Sequence, residues 1–433
     1  MRRLLLATAL AVMTMNVPAQ VAPERAREIS NRLLDHLDHG RFAEAEAMFD
    51  EAMRAAVPKA QLASVWQSLS PAKARGGAEL VSQGTTQVVR TPLERVEADF
   101  VSTVAIAADG RVSGLFVQPA ARAIAPAPAV PVDANYTEHD TIVGEGERAL
   151  PATLALPKGQ GPFPTVVLVH GSGAHDRDET IGPNRPFLDI ARGLASRGIA
   201  VLRYEKRNRV RPQDHADGVD IDGETTDYAL LAVARLRQTP GIDASRIFVL
   251  GHSQGGMMAP RIGRRDPAIA GLILFAAPAR KLLDILVEQN DRLLRMQGQR
   301  ESAAGIAHMQ ILESQVAAIR RDGDVAATGT PLGQPAAYWR SVDAVDPLAE
   351  ARAANQPLLV LHGGHDIQVV DADFALWQSL SATRAGMTLK RYPELNHLGM
   401  KSEAGAGLAS YEVPGHVDEA LITDIAAWIR ARR

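Results

Sequence analysis

A serine flanked by glycines, Gly251-His252-Ser253-Gln254-Gly255, closes the apolar run Ile247-Phe248-Val249-Leu250 and opens a helix-compatible segment. Strand, sharp turn and helix in that order hold a serine hydroxyl out from the backbone, where it can attack an electrophilic carbon. The two glycines meet a steric demand, because neighbouring segments approach such a turn too closely for a β-carbon. The N-terminal amides of the following helix lie where negative charge would develop. The competing interpretation is an ordinary glycine-rich loop, which a five-residue pattern matches by chance. The strand ahead of the motif and the partners downstream favour the chemical one, with Ser253 as candidate nucleophile.

A serine hydroxyl attacks poorly unless a base removes its proton, and that base is expected to be a late histidine oriented by a carboxylate. The histidines after Ser253 are His308, His362, His365, His397 and His416. His397 is preferred because Tyr392-Pro393-Glu394-Leu395-Asn396-His397-Leu398-Gly399 forms a loop between a strand and the last helix. His416, behind Pro414-Gly415, is the main rival. Asp366 is the candidate carboxylate, on the turn that follows Leu358-Leu359-Val360-Leu361. Its rivals Asp371 and Asp373 read as caps of a helix over 374–380. For the oxyanion, one donor is expected from the backbone N–H of Gln254. The other is expected from the loop Val169-His170-Gly171-Ser172-Gly173-Ala174, with Ser172 first and Gly173 next. That loop lacks the lysine and the spacing of a phosphate-binding P-loop.

These residues must be positioned by a larger framework. Strand-type runs at 141–143, 149–155, 165–169, 199–203, 247–250, 272–275, 358–361 and 388–392 alternate with helical stretches. That order predicts an α/β fold, a mostly parallel sheet with helices on both faces, over residues 136–433. The alternation stops between about 279 and 355, where amphipathic stretches at 281–296 and 304–320 read as a helical lid over the carboxyl ends of the strands. Tyr338 and Trp339 in it are candidate substrate-pocket residues; a plain minor core is the alternative. Residues 20–120 read as a small α+β domain, with helices over 25–36, 42–56 and 59–69 and a hairpin turning at Ala108-Asp109-Gly110-Arg111. The Ala/Pro-rich stretch 121–135 reads as a linker. Residues 1–19 read as a signal peptide with cleavage after Ala19, which predicts export to the periplasm or beyond.

Together, His170-Gly171, Gly251-His252-Ser253-Gln254-Gly255, Gly364-His365-Asp366 and Asn396-His397 resemble the α/β-hydrolase superfamily. The stretches Gly171–Thr180 and Leu202–Arg207 are similar to its bacterial exported esterases and serine-aminopeptidase-like hydrolases, which carry a small N-terminal domain of unknown function. The resemblance covers residues 136–433 well and 25–118 weakly. It implies a capped α/β-hydrolase fold and hydrolysis of carboxylic esters, of small or short-chain acyl groups, without a cofactor.

Composition narrows the field. A net charge of −3 argues against a nucleic-acid partner, and the absence of cysteine excludes disulfides, thiolate metal sites and a cysteine nucleophile. No metal is expected, although His362-Gly363-Gly364-His365-Asp366 has a ligand-like look. The only partner expected is a small-molecule ester, with no membrane insertion after signal cleavage; the N-terminal domain's partner is not legible. An amidase with the same three residues would need a carboxylate to hold a substrate amine, and Glu179 or Glu205 is the candidate. In the charged run Asp176-Arg177-Asp178-Glu179 the alternative is an ion-pair lattice with Arg203, Lys206 and Arg207. A non-catalytic envelope-binding protein on a hydrolase scaffold is the reading from another class.

Overall fold

The computed structural model describes residues 21–433 apart from 68, 84–85, 97–98, 120–125, 217, 322, 324, 326–328 and 433. The signal-peptide expectation therefore lies outside the described residues, as does the first part of the proline-rich stretch. The chain divides into two compact units, up to Ala125 and from Pro126 onward.

The first unit packs α1 (Pro23–Asp38), α2 (Phe42–Ala47), α3 (Glu51–Ala56) and α4 (Lys59–Gln67) with an antiparallel sheet. Its strands are β1 (Ala72–Arg75), β2 (Glu79–Gln83), β3 (Thr86–Arg95), β4 (Phe100–Ile106) and β5 (Val112–Pro119). Ile29, Leu33 and Leu37 share one face of α1, as their spacing demands, and meet Val89, Leu93, Val104 and Ile106. The single helix expected over 42–56 is broken in two. Asp50 caps α3 by accepting from Met53 N at 2.7 Å, and its own amide turns to the Val112 carbonyl. The strands before Val96 were not legible: β1 is Ala-Lys-Ala-Arg and mostly exposed, and β3 contains Pro92.

The second unit carries an eight-stranded sheet. Its strands are β6 (Tyr136–Val143), β7 (Leu150–Pro157), β8 (Phe163–Val169), β9 (Ala200–Tyr204), β10 (Ile242–His252), β11 (Gly271–Phe275), β12 (Leu358–Gly363) and β13 (Met387–Tyr392). The order is β13-β12-β11-β10-β8-β9-β7-β6, with β7 antiparallel to both neighbours and β8 to β13 parallel. Both faces are covered, so the strands read as unbroken apolar runs rather than alternating ones. Val167, Val169 and Val249 pack under α8 (Asp227–Arg237), α9 (Gln254–Arg265) and α14 (Asp371–Ser381). Val166, Leu168, Phe248 and Leu250 pack against α5 (Pro186–Ala195) and α15 (Glu419–Arg430). Two one-turn helices, α6 (Arg207–Val210) and α7 (Gln213–Ala216), follow β9. Between β11 and β12 the chain leaves the sheet for α10 (Leu282–Met296), α11 (Ala303–Arg320), α12 (Ala336–Asp343) and α13 (Pro347–Ala353). This is the α/β-hydrolase architecture, with a helical insertion on the carboxyl side of the strands.

Candidate active site

Ser253 turns the chain between β10 and α9 with a positive φ of 52° and ψ −118°. Such a conformation costs a non-glycine residue about 1–3 kcal/mol and persists only where the surroundings impose it. Here the Ser253 amide donates to the Phe275 carbonyl of β11, and the Ser253 carbonyl accepts from Met257 N, both at 2.9 Å. A Cβ on Gly251 would run into the Gly255 carbonyl, and one on Gly255 into the Val169 and His170 carbonyls. Both glycines are therefore demanded by backbone contact, as their spacing around the serine predicts.

Asp366 and His397 come from the loops after β12 and β13. The pair Gly363-Gly364 brings those loops together, since a Cβ on either would strike the Leu395 or Pro393 carbonyl. His397 Nδ1 lies 2.7 Å from Asp366 Oδ2, and both side chains are buried. The other carboxylate oxygen accepts the backbone N–H groups of Gln368 and Val369 at 2.8 and 2.9 Å, which fixes the direction of the carboxylate. Asn396 braces the histidine loop through its Oδ1, which accepts from Leu398 N at 3.0 Å. The His397 carbonyl accepts from His252 Nε2 at 3.0 Å, and the two rings lie 4.7 Å apart. That bond ties the His397 loop to the residue preceding Ser253.

The rivals are placed elsewhere. His416 is 87% exposed and paired with Asp189 at 3.0 Å, ahead of a last helix that begins only at Glu419. His308 bonds Asn290, His365 bonds the Ser402 carbonyl, and His362 stacks on Phe374 beside Asp371. Asp371 and Asp373 do not cap α14 but lie within its first turn. Their carboxylates are taken by Arg391 and, for the fully buried Asp373, by Arg280 and the Ala279 amide. Among the described residues no group of three or more acidic or histidine side chains could hold a metal ion.

In the loop after β8, the Gly171 amide donates to Glu179 Oε1 at 2.6 Å and the Gly171 carbonyl accepts from Lys206 Nζ at 2.6 Å. Ser172 and Gly173 follow on an exposed stretch, their carbonyls bonded to His175 and Asn208. A Cβ on Gly171 would stand 3.2 Å from that of Ser253, so this loop lies against the elbow. Glu179 corrects the substrate-pocket expectation. It is fully buried, bonded to Gly171 N and 3.0 Å from His252 Nδ1, and lines no open surface. Glu205 is likewise engaged, with Arg177 and Arg209. Of the expected lattice, Arg203 pairs with Asp178 at 2.8 Å, whereas Lys206 and Arg207 turn to Glu224 and Asp214.

The insertion reaches the elbow through Tyr338. Its hydroxyl donates to Glu224 Oε2 at 2.7 Å and accepts from Gln254 Nε2 at 3.2 Å, while Gln254 Oε1 accepts from Lys206 Nζ at 3.3 Å. Burial, then the Glu224 carboxylate, pushes the Tyr338 phenol well above its ordinary value, so it stays a donor. Trp339 is turned away: its indole N–H ends on the Pro331 carbonyl inside the insertion, which makes it core rather than pocket wall. On the other side, Gln289 and Arg292 of α10 donate to the carbonyls of Gln368 and Ile367, just after Asp366. Lys206 and Glu224 were missed as site residues. Glu224 sits in a π-helical turn over Asp222–Thr226, of which Glu224, Thr225 and Thr226 are buried; such turns are frequent near functional sites.

A family model described as serine aminopeptidase, S33, matches residues 160–403. Esterase EstD of Thermotoga maritima is 33% identical over 400 residues, which is 92% of this chain and 93% of that protein. Among solved structures, an esterase of Pyrococcus furiosus is 12% identical over 71% of this chain and 96% of its own, with a TM-score of 0.43. Est1E of Butyrivibrio proteoclasticus is 15% identical over 68% of this chain and 99% of its own, also at 0.43.

Proposed function

Because this chain belongs to the S33 serine-aminopeptidase family of α/β-hydrolases, we propose that it is a serine carboxylesterase acting on small or short-chain acyl esters. The observation that carries the reading is the buried Asp366–His397 pair at 2.7 Å, whose loop is bonded to the elbow of Ser253. Ser253 Oγ attacks the acyl carbonyl carbon while His397 Nε2 takes the hydroxyl proton, and Asp366 holds the ring and stabilises the imidazolium. The backbone N–H groups of Gln254 and of Ser172 or Gly173 receive the oxyanion. Collapse expels the alkoxide, which leaves with the proton from His397. Water then attacks the acyl-enzyme by the same route, releasing the acid and restoring Ser253.

The ester preference is supported by the EstD relative and by the engagement of Glu179 and Glu205, which deprives a substrate amine of the two expected carboxylates. Export after cleavage at Ala19 belongs to the same proposal, and N-terminal sequencing of the mature protein tests it. The main test is hydrolysis of p-nitrophenyl esters from acetate to palmitate by the full chain and by Ser253→Ala. The expected result is a short-chain optimum and a loss of about 10⁴-fold or more in the variant. Activity surviving in Ser253→Ala overturns the assignment, and cleavage of aminoacyl amides but not esters replaces the ester by the amide reading.

A further inference from the structure

A second carboxylate–imidazole pair lies directly behind the first. His252 is buried, with Nε2 on the His397 carbonyl at 3.0 Å and Nδ1 3.0 Å from Glu179 Oε2. Both of its nitrogens therefore face acceptor oxygens. A carbonyl accepts only, so Nε2 must carry a hydrogen. At Nδ1 a bare lone pair would confront a carboxylate across 3.0 Å, a distance that leaves no room for a bridging group. The contact is off the ideal hydrogen-bond line and neither atom has another partner, so a proton must lie between them; the short 2.6 Å bond that Glu179 Oε1 accepts from the Gly171 amide marks Glu179 as a carboxylate and leaves that proton on Nδ1. We propose that His252 is an imidazolium at neutral pH which, with Glu179, positions the two halves of the catalytic machinery relative to one another. Glu179 Oε1 holds the Gly171 amide of the oxyanion loop, and His252 Nε2 holds the backbone of the catalytic histidine. Neither residue touches substrate. They set the distance between loops that do.

The surroundings agree. Phe275 from β11 and Phe187 from α5 face the ring at 5.0 and 6.4 Å and bring no charge. The titratable groups around the pair are Glu179, His170 and His175 on the β8 loop, and Asp366 and His397 on the β12 and β13 loops. Burial alone would push the His252 imidazole down, but Glu179, the His397 carbonyl and Asp366 together hold it above its ordinary value. Burial would push Glu179 up, and the His252 charge instead holds it at about 2. His170 is forced neutral by burial, down to about 3, so it does not compete for the proton.

The positioning role rests on the catalytic reading of Ser253 and His397; the charge state does not, and the test separates them. Full-length Ser253→Ala labelled with ¹⁵N-histidine is examined by NMR at pH 7.5. One buried ring with both nitrogens protonated is expected, and a neutral His252 overturns the proposal. In the otherwise native enzyme, Glu179→Gln is expected to lower kcat for p-nitrophenyl acetate about 10- to 100-fold with KM nearly unchanged, the cost of loosened geometry. His252→Gln, which keeps a donor towards the His397 carbonyl, is expected to lose less than His252→Ala. Unchanged kcat in Glu179→Gln, or equal losses in the two His252 variants, overturns the positioning role. Activity persisting in Ser253→Ala would sink the catalytic reading while leaving the NMR result to decide the charge.

Discussion

Two buried carboxylate–histidine pairs lie ring against ring in this enzyme, and they differ in what the second ring nitrogen meets. In Asp366–His397, Nδ1 is given to the carboxylate and Nε2 is the nitrogen that the proposed mechanism uses as base. In Glu179–His252, the other nitrogen ends on a backbone carbonyl, so no proton can be exchanged there without breaking the structure. The carboxylates differ in the same sense. Asp366 takes its remaining hydrogen bonds from the next residues of its own turn, at Gln368 and Val369, whereas Glu179 reaches back across its loop to Gly171. A histidine beside a carboxylate is therefore no sufficient sign of a catalytic base. Which atoms close off the far side of the ring decides.

The largest expected effect breaks the working pair. Asp366→Asn should reduce kcat about 10³- to 10⁴-fold on p-nitrophenyl acetate, because the amide favours the wrong imidazole tautomer. A loss no greater than that of Glu179→Gln would erase the distinction between the pairs. A smaller effect is expected from Tyr338→Phe, which touches neither pair but removes the hydroxyl between Glu224 and Gln254. Leaving Glu224 short of a donor should cost about 1–3 kcal/mol in denaturant unfolding, with kcat falling only a few-fold. A fall matching that of Asp366→Asn would move Tyr338 into the catalytic group. The smallest effect sharpens the comparison through pH. Glu179 is held at about 2, below its unfolded value near 4.5, so its contribution is fully present above 4.5 and fades as pH falls towards 2. His252 is held above 6.5, so its contribution is full below 6.5 and fades as pH rises through its folded value. The Tm difference between native protein and Glu179→Gln should thus be widest near pH 5–6 and narrow on either side. A difference that stays constant from pH 3 to 9 would contradict the charged pair.

Much of the catalytic unit was legible because its determinants are local. Apolar runs gave strands, and Gly251, Gly255 and Gly363-Gly364 marked places where backbones touch. The turn after Leu361 and the loop after Tyr392 sit on adjacent strands, which is why Asp366 and His397 could be paired from chain order. Glu179 and His252 could not be paired that way, because Glu179 lies on a loop that turns back to Gly171 before it meets His252, and no periodicity records such a return. Tyr338 and Trp339 looked alike as neighbouring aromatics, yet adjacent helical positions point different ways, one to Gln254 and one into the insertion. The strands β1 to β3 were hidden by polar composition and by Pro92, since their burial is supplied by helices distant in the chain.

The helical insertion is fastened to the rest of its unit near both of its ends. At its start, Asp373 holds Ala279 and Arg280; at its close, Glu350 accepts from Arg261 and Arg264 of α9. The outermost helix α11 takes no part in those attachments. For anyone redesigning selectivity, this makes the stretch from α10 to α13 a cassette with splice points at Ala279 and Ala354. Grafts that preserve Arg280, Gln289, Arg292, Glu350 and a phenol at position 338 keep its moorings while leaving the rest of its surface open to change.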